Sequence, residues 1–185
     1  MVHYLDTRLT NDIIPVSSLA PESGLLGKDA SEAALVDQWV HFGETEIATF
    51  SYEIMAFVSG YLGPYNREVR VIVPPRVPKS KLNLDCAQFH DINLERQARA
   101  LKFLDEHLSA SPSGYLISDA MTLADIVVAA VSQQAGKITC GAAERAQYPN
   151  VFAHYEKVAT HPKVKEAFGE AEFIEEAISY KAKTA

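Results

Sequence analysis

The chain has 185 residues, is 48% hydrophobic and carries a net charge of −7. That length supports one domain with a sizeable core and no covalent staples, and the acidic balance argues against a nucleic-acid surface. No apolar run is long enough to span a membrane, the first nine residues lack an apolar signal core, and Cys86 and Cys140 have neither redox nor metal spacing, so free thiols in a cytoplasmic protein are expected.

Met1 to Asp12 shows no periodicity, and residues 1–24 read as an irregular N-terminal arm ending in the turn-rich run Ser17 to Gly24. A helical domain is expected over residues 25–181, with a frayed tail at 182–185. Asp29 can cap its first helix, with Glu32 three residues on. Leu35, Val36, Trp39, Val40, Phe42, Gly43 and Ile47 make the apolar face. The helix is expected to continue, bent near Thr49, through Ile54, Phe57, Val58, Tyr61 and Leu62, and to end at Gly63-Pro64.

Residues 70–93 break the pattern. Pro74, Pro75 and Pro78 exclude a helix around them, and Arg70, Arg76, Lys79 and Lys81 make the stretch basic. It reads as a solvated insertion loop, because a short basic run is weak support for a nucleic-acid or lipid patch. A loop of this length is unusual in a compact helical domain. Leu94 is expected to start the next helix, with Ala98, Leu101, Leu104 and Leu108 on one face and Ser109 to Gly114 closing it.

Met121 to Val131 is the best-defined stretch. Thr122 and Asp125 stand three apart before an apolar run, the spacing of a capping box. The Thr122 hydroxyl can accept from the Asp125 N–H, and the Asp125 carboxylate can accept from the Thr122 N–H. Met121 and Ile126 occupy the two positions of a hydrophobic staple. Leu123, Ile126, Val127, Ala130, Val131 and Gln134 form one helical face. The opposite face, Ala124, Val128, Ser132 and Ala135, is small rather than charged, as in a helix inside a bundle. These four residues, Met121, Thr122, Asp125 and Ile126, are expected to be structural. As a simple cap, Asp125 is worth roughly 1–2 kcal/mol.

Ala142 to Gln147 is expected to make a short helical turn. Pro149 suits a helix first turn, with Val151, Tyr155 and Val158 facing inward. Pro162 is expected to start another short helix stopped by Gly169, and Phe173, Ile174, Ala177 and Ile178 a last amphipathic piece. No strand pattern or repeat is present, so the fold reads as all-α.

The six histidines, at 3, 41, 90, 107, 154 and 161, include no pair four apart that could share a metal on a helix face. There is no glycine-rich phosphate loop, G-x-S-x-G elbow or Cys/His nucleophile context. The residues therefore indicate no catalytic, cofactor-binding or metal site.

Thr122-Leu123-Ala124-Asp125-Ile126 inside a helical bundle resembles the central helix of the glutathione S-transferase C-terminal domain. Leu25-Leu26-Gly27 followed by the Trp39 helix resembles its beginning. Gln147-Tyr148-Pro149-Asn150-Val151, His161-Pro162 and Phe168-Gly169-Glu170 resemble a narrower group, the gamma subunit of eukaryotic translation elongation factor 1B in its fungal form. The tail, Ala171 to Lys183, fits that group too. The resemblance covers about Ser18 to Tyr65 and Leu94 to Lys183.

The resemblance implies a preceding thioredoxin-like domain that supplies most of the glutathione site and the Tyr, Ser or Cys that activates the thiol. Only Ile13 to Leu26 matches its end, so that domain is expected to be largely missing and no catalytic residue is carried over. Arg70 to Asn93 matches nothing in the family and reads as a retained non-coding segment or a lineage-specific insertion. The function implied is a non-catalytic domain that scaffolds the nucleotide-exchange subunit of the elongation factor complex, with a homodimer as a further form. The alternative is part of a glutathione transferase that supplies the apolar-substrate side of the site, with glutathione as its cosubstrate. Neither reading calls for nucleic acid or membrane as a partner.

Overall fold

The computed structural model describes residues 23–58 and 86–177. The N-terminal arm up to residue 22, the continuation of the first helix to Leu62, residues 70–85 of the insertion and the tail from residue 178 lie outside the described residues.

Helix α1 (Ala30–Phe42), a π segment (Gly43–Ala48) and α2 (Thr49–Val58) form one continuous helical path. Asp29 caps its start, its Oδ1 accepting from the N–H of Ser31 at 2.8 Å and of Glu32 at 2.9 Å. Glu32 reaches back to the Lys28 N–H at 2.8 Å, one residue before the usual position of a capping box. The change in geometry falls just before the expected bend at Thr49. Thr45 and Thr49 donate their hydroxyls to the carbonyls of His41 and Glu44, at 2.7 and 2.9 Å. Such back-bonding competes with the regular ladder, and the Thr49 N–H reaches the Glu44 carbonyl five residues back. The wider turn seats Gly43 against the central helix, where a Cβ would stand 3.4 Å from Val128 Cγ2.

Helix α3 (Cys86–Ser109) starts earlier than expected. The last part of the expected loop, residues 86–93, is helical, not loop. Its buried face escaped a hydrophobic count because it is polar: His90, Asn93 and Gln97 are each at most 3% exposed. Gln97 Nε2 donates to the Ser51 hydroxyl at 2.6 Å and to the Ile47 carbonyl at 3.3 Å, joining α3 to the first helical path. Further along, Ala100, Leu101, Leu104 and Leu108 are buried, whereas Ala98 is exposed.

Helix α4 (Leu123–Ile138) is the centre of the bundle. Its deeply buried face is the small one, with Ala124, Val128, Ser132 and Ala135 each wholly buried. On the larger-residue face Val131 is buried, Leu123, Ile126 and Val127 are partly buried and Ala130 is exposed, so the helix is less enclosed on that side than the expected all-round burial. Small side chains let α1 and the π segment approach closely, so backbone proximity rather than side-chain bulk selects the inner face.

A short α5 (Ala142–Arg145) leads to α6 (Pro149–Ala159), which packs Val151, Tyr155 and Val158 inward. No side chain of α6's own caps its first turn. Asp105 of α3 does so, its Oδ1 accepting from the N–H of Asn150 at 2.7 Å and of Val151 at 3.1 Å. A last turn, α7 (Lys165–Phe168), ends at Gly169 with φ +61°.

Residues 169–177 contain no helix, contrary to the amphipathic piece expected there. They form an extended strap across the end of α4. The Ile174 N–H bonds to the Gly136 carbonyl at 3.1 Å, and Arg145 Nη1 donates to the carbonyls of Ile174 and Cys140 at 2.6 and 2.9 Å. Phe173 packs edge-on to Phe152 and lies against Gly136. Backbone bonds to α4 and α5 satisfy the strap in place of a helical ladder.

Two glycines test this packing. A Cβ at Gly136 would come within 2.8 Å of the Phe173 ring and 3.2 Å of Phe152. Gly136→Ala is expected to lower stability by about 1–3 kcal/mol by overpacking. At Gly43 the added methyl meets ordinary contact distances, so Gly43→Ala is expected to be neutral or stabilising by up to about 1 kcal/mol. Urea unfolding of both variants checks the contrast; equal effects would refute it.

Candidate functional site

The start of α4 gathers the residues that the sequence singles out. Asp125 is wholly buried. Its Oδ2 accepts from the N–H and from the hydroxyl of Thr122, both at 2.8 Å. The Thr122 side chain faces the Asp125 N–H in return, which completes the capping-box arrangement. Asp125 Oδ1 accepts from the Leu116 N–H at 2.9 Å and from His154 Nε2 at 3.0 Å.

Burial by itself pushes the Asp125 pKa up. The hydrogen bonds from His154, the Thr122 and Leu116 N–H groups and the Thr122 hydroxyl outweigh it, and hold the carboxyl below its ordinary 3.8. His154 is the residue that sequence reasoning missed. It lies on the inward face of α6 with Val151, Tyr155 and Val158 and is 3% exposed. Its sequence signal was a histidine on an otherwise apolar helical face; its partner, 29 residues earlier, gave no local sign.

Met121 and Ile126 are partly buried, packing against the cluster of Ala129, Tyr155 and Val158. Both also line a cleft of about 460 Å³. Leu25, Val164 and Tyr115 share its lining, and Asp119, His161 and Lys163 supply polar groups. The Leu123 N–H donates to the Leu25 carbonyl at 2.8 Å, which ties the segment before α1 to the beginning of α4. The cleft is of a size for a small ligand with an apolar body.

Asp125 itself is enclosed, and its four hydrogen bonds occupy the carboxylate's accepting capacity. That leaves the carboxylate no accepting site for a ligand. Burial pushes the Cys140 thiol up to about 11, so at neutral pH it is a thiol rather than a nucleophilic thiolate. Among the described residues no three His, Cys, Asp or Glu side chains converge as a metal site. Nor is any described helix long and apolar enough to cross a membrane.

Removing the carboxylate leaves His154 and two backbone N–H groups buried without their acceptor. Asp125→Ala is therefore expected to cost about 3–5 kcal/mol, above the value of a simple cap. Because the folded pKa lies below the unfolded one, this contribution is full above pH 3.8 and is lost as pH falls through the folded value. Asp125→Asn should accordingly be less stable near neutrality and show a shallower acid decline below pH 3.8. Urea midpoints measured across pH for both variants check this, and parallel acid declines for the parent and Asp125→Asn would exclude it.

Comparison with known proteins places this architecture. Residues 85–169 match the family described as glutathione S-transferase, C-terminal domain. The chain is 31% identical over 153 residues to the glutathione S-transferase-like protein FUS3 of Gibberella moniliformis, covering 83% of this chain and 59% of that protein. It is 26% identical over 151 residues to the glutathione S-transferase-like protein LUC7 of a Fusarium species, covering 82% and 58%. The chain thus spans about three fifths of the length of the curated relatives it matches. Among solved structures it superposes on the GST-like domain of elongation factor 1-gamma from Saccharomyces cerevisiae with a TM-score of 0.62. That match has 18% identity and covers 87% of this chain and 64% of the other. The described residues fold as the all-α bundle of the glutathione S-transferase C-terminal domain.

Proposed function

We propose that this chain is the helical domain of a glutathione S-transferase-like protein and supplies the apolar-substrate side of a glutathione-dependent site. The observation that carries this reading is the 31% identity to a glutathione S-transferase-like protein across 83% of the chain. The fold supports it, and so does an aromatic row on α1 and α3. There Trp39 stacks on Phe103 at 6.0 Å and packs edge-on to Phe42 at 5.2 Å. Phe103 is 54% exposed and Leu35 40%, leaving apolar surface open to a ligand. Glutathione enters as substrate; a group that activates its thiol belongs outside the described residues. A cytoplasmic location accords with this reading.

A second reading is the non-catalytic scaffold of the elongation factor complex, with the nucleotide-exchange subunit as partner. It draws on the resemblance of residues 147–151, 161–162 and 168–170 to the gamma subunit and on the fold shared with that subunit's GST-like domain.

The two readings separate on ligand preference. Under the first, S-hexylglutathione binds at least tenfold more tightly than glutathione, because its alkyl chain reaches the apolar side. Isothermal titration of both ligands measures the ratio. Equal affinities, or no binding of either together with capture of the exchange subunit, would transfer the assignment to the scaffold.

A further inference from the structure

A smaller cleft, of about 300 Å³, lies between the turn after α3 and helix α6, apart from the one described above. Ser109, Ser111, Ser113, Asn150, His154 and Lys157 provide its polar lining, and no carboxylate does. His154 Nδ1 is buried and has no hydrogen-bond partner. Asp125 accepts at Nε2 and so holds the proton there; in that tautomer Nδ1 offers a lone pair.

The serines present the same chemistry. Each hydroxyl has a single proton, which Ser111 donates to the Tyr115 carbonyl at 2.7 Å and Ser113 to the Ser118 carbonyl at 2.9 Å. Ser113 Oγ in turn accepts from the Tyr115 N–H at 3.2 Å, which leaves Ser111 Oγ with the spare accepting capacity in the lining. Lys157 brings the opposite character. Its ammonium donates to the Ser113 carbonyl and lies 3.7 Å from the centre of the Tyr115 ring. It forms no ion pair among the described residues, and it retains N–H groups for a further acceptor.

A hydroxyl group answers both demands, since it donates and accepts. We propose that this cleft binds a small polyhydroxylated molecule. One hydroxyl donates to His154 Nδ1, a second to Ser111, and a third accepts from Lys157. Nδ1 is itself covered, so a hydroxyl reaches it by a local opening of the cleft wall at His154. A buried acceptor without a donor is unfavourable, which makes a donor placed there selective. The absence of a lining carboxylate disfavours cationic ligands, and the unpartnered His154 Nδ1 disfavours anions.

The test is a titration of the ¹⁵N-labelled chain with xylitol, followed by nuclear magnetic resonance. The expected result is saturable shifts of the amides from Ser111 to Gly114 and of Lys157, with movement of the His154 Nδ1 resonance. Ser111→Ala and Lys157→Gln, both outside the buried Asp125 network, should each weaken binding about fivefold while the amide spectrum remains that of the folded bundle. Linear shifts without saturation would overturn the proposal, as would unchanged affinity in both variants. Saturation by sulfate but not by xylitol would also overturn it, in favour of an anion on Lys157.

Discussion

A wholly buried carboxylate cannot remain charged unless donors replace the water it has lost. Asp125 finds those donors in three separate parts of the chain: Thr122 in its own helix, Leu116 in the preceding loop, and His154 on α6. The requirement therefore fixes tertiary geometry. Bound through its N–H to Asp125, Leu116 presents its carbonyl to His107 Nε2 at 2.8 Å. The His107 ring lies 4.4 Å from that of Trp39. One charge thus organises a path from α6 through the loop and α3 to α1.

Three carboxylates cap helices here, and they differ in how far sequence reveals them. Asp29 was fully legible, since every donor lies within three residues of it. Asp125 was half legible. Its bond to the Thr122 N–H follows from spacing, but its bonds to Leu116 and His154 depend on packing between elements. Asp105 was illegible, because the helix start it satisfies lies 45 residues further along. Local hydrogen bonding leaves a periodic trace in sequence, whereas bonding across the bundle leaves none.

The same division separates correct and incorrect elements. The all-α class, the starts of α1 and α4, and the inward face of α6 follow from local spacing. The beginning of α3 does not, because its buried face is held by Gln97 bonding across to Ser51 and Ile47 rather than by apolar residues. The small face of α4 was also legible as part of a helix inside a bundle, but that it is the most deeply buried one follows only from the close approach of α1 and the π segment. The strap at 169–177 has apolar residues at helical spacing, yet Arg145 and the Gly136 carbonyl supply its backbone partners, so the ladder is not needed. For the larger cleft, Met121 and Ile126 were expected as a staple, and their place in its lining arises only when Leu25 and His161 come together with them.

The residues that make this fold recognisable are largely the buried ones. Thr122, Asp125 and Val151 are enclosed, and their work is complete once the bundle has formed. A likeness carried by such positions transmits architecture and is silent about reaction, because a group with all its hydrogen bonds satisfied inside a core has none to offer a ligand. The transferase-like and scaffold readings share these positions and diverge at the surface. Discrimination must come from side chains whose hydrogen-bonding capacity or apolar area is left over after folding. Phe103 and Leu35 keep apolar area, Lys163 and Asp119 keep charge beside the larger cleft, and His154 keeps one unsatisfied nitrogen. His154 belongs to both sets: one nitrogen fixes the fold through Asp125, and the other is the point where the buried network has capacity left for chemistry outside it.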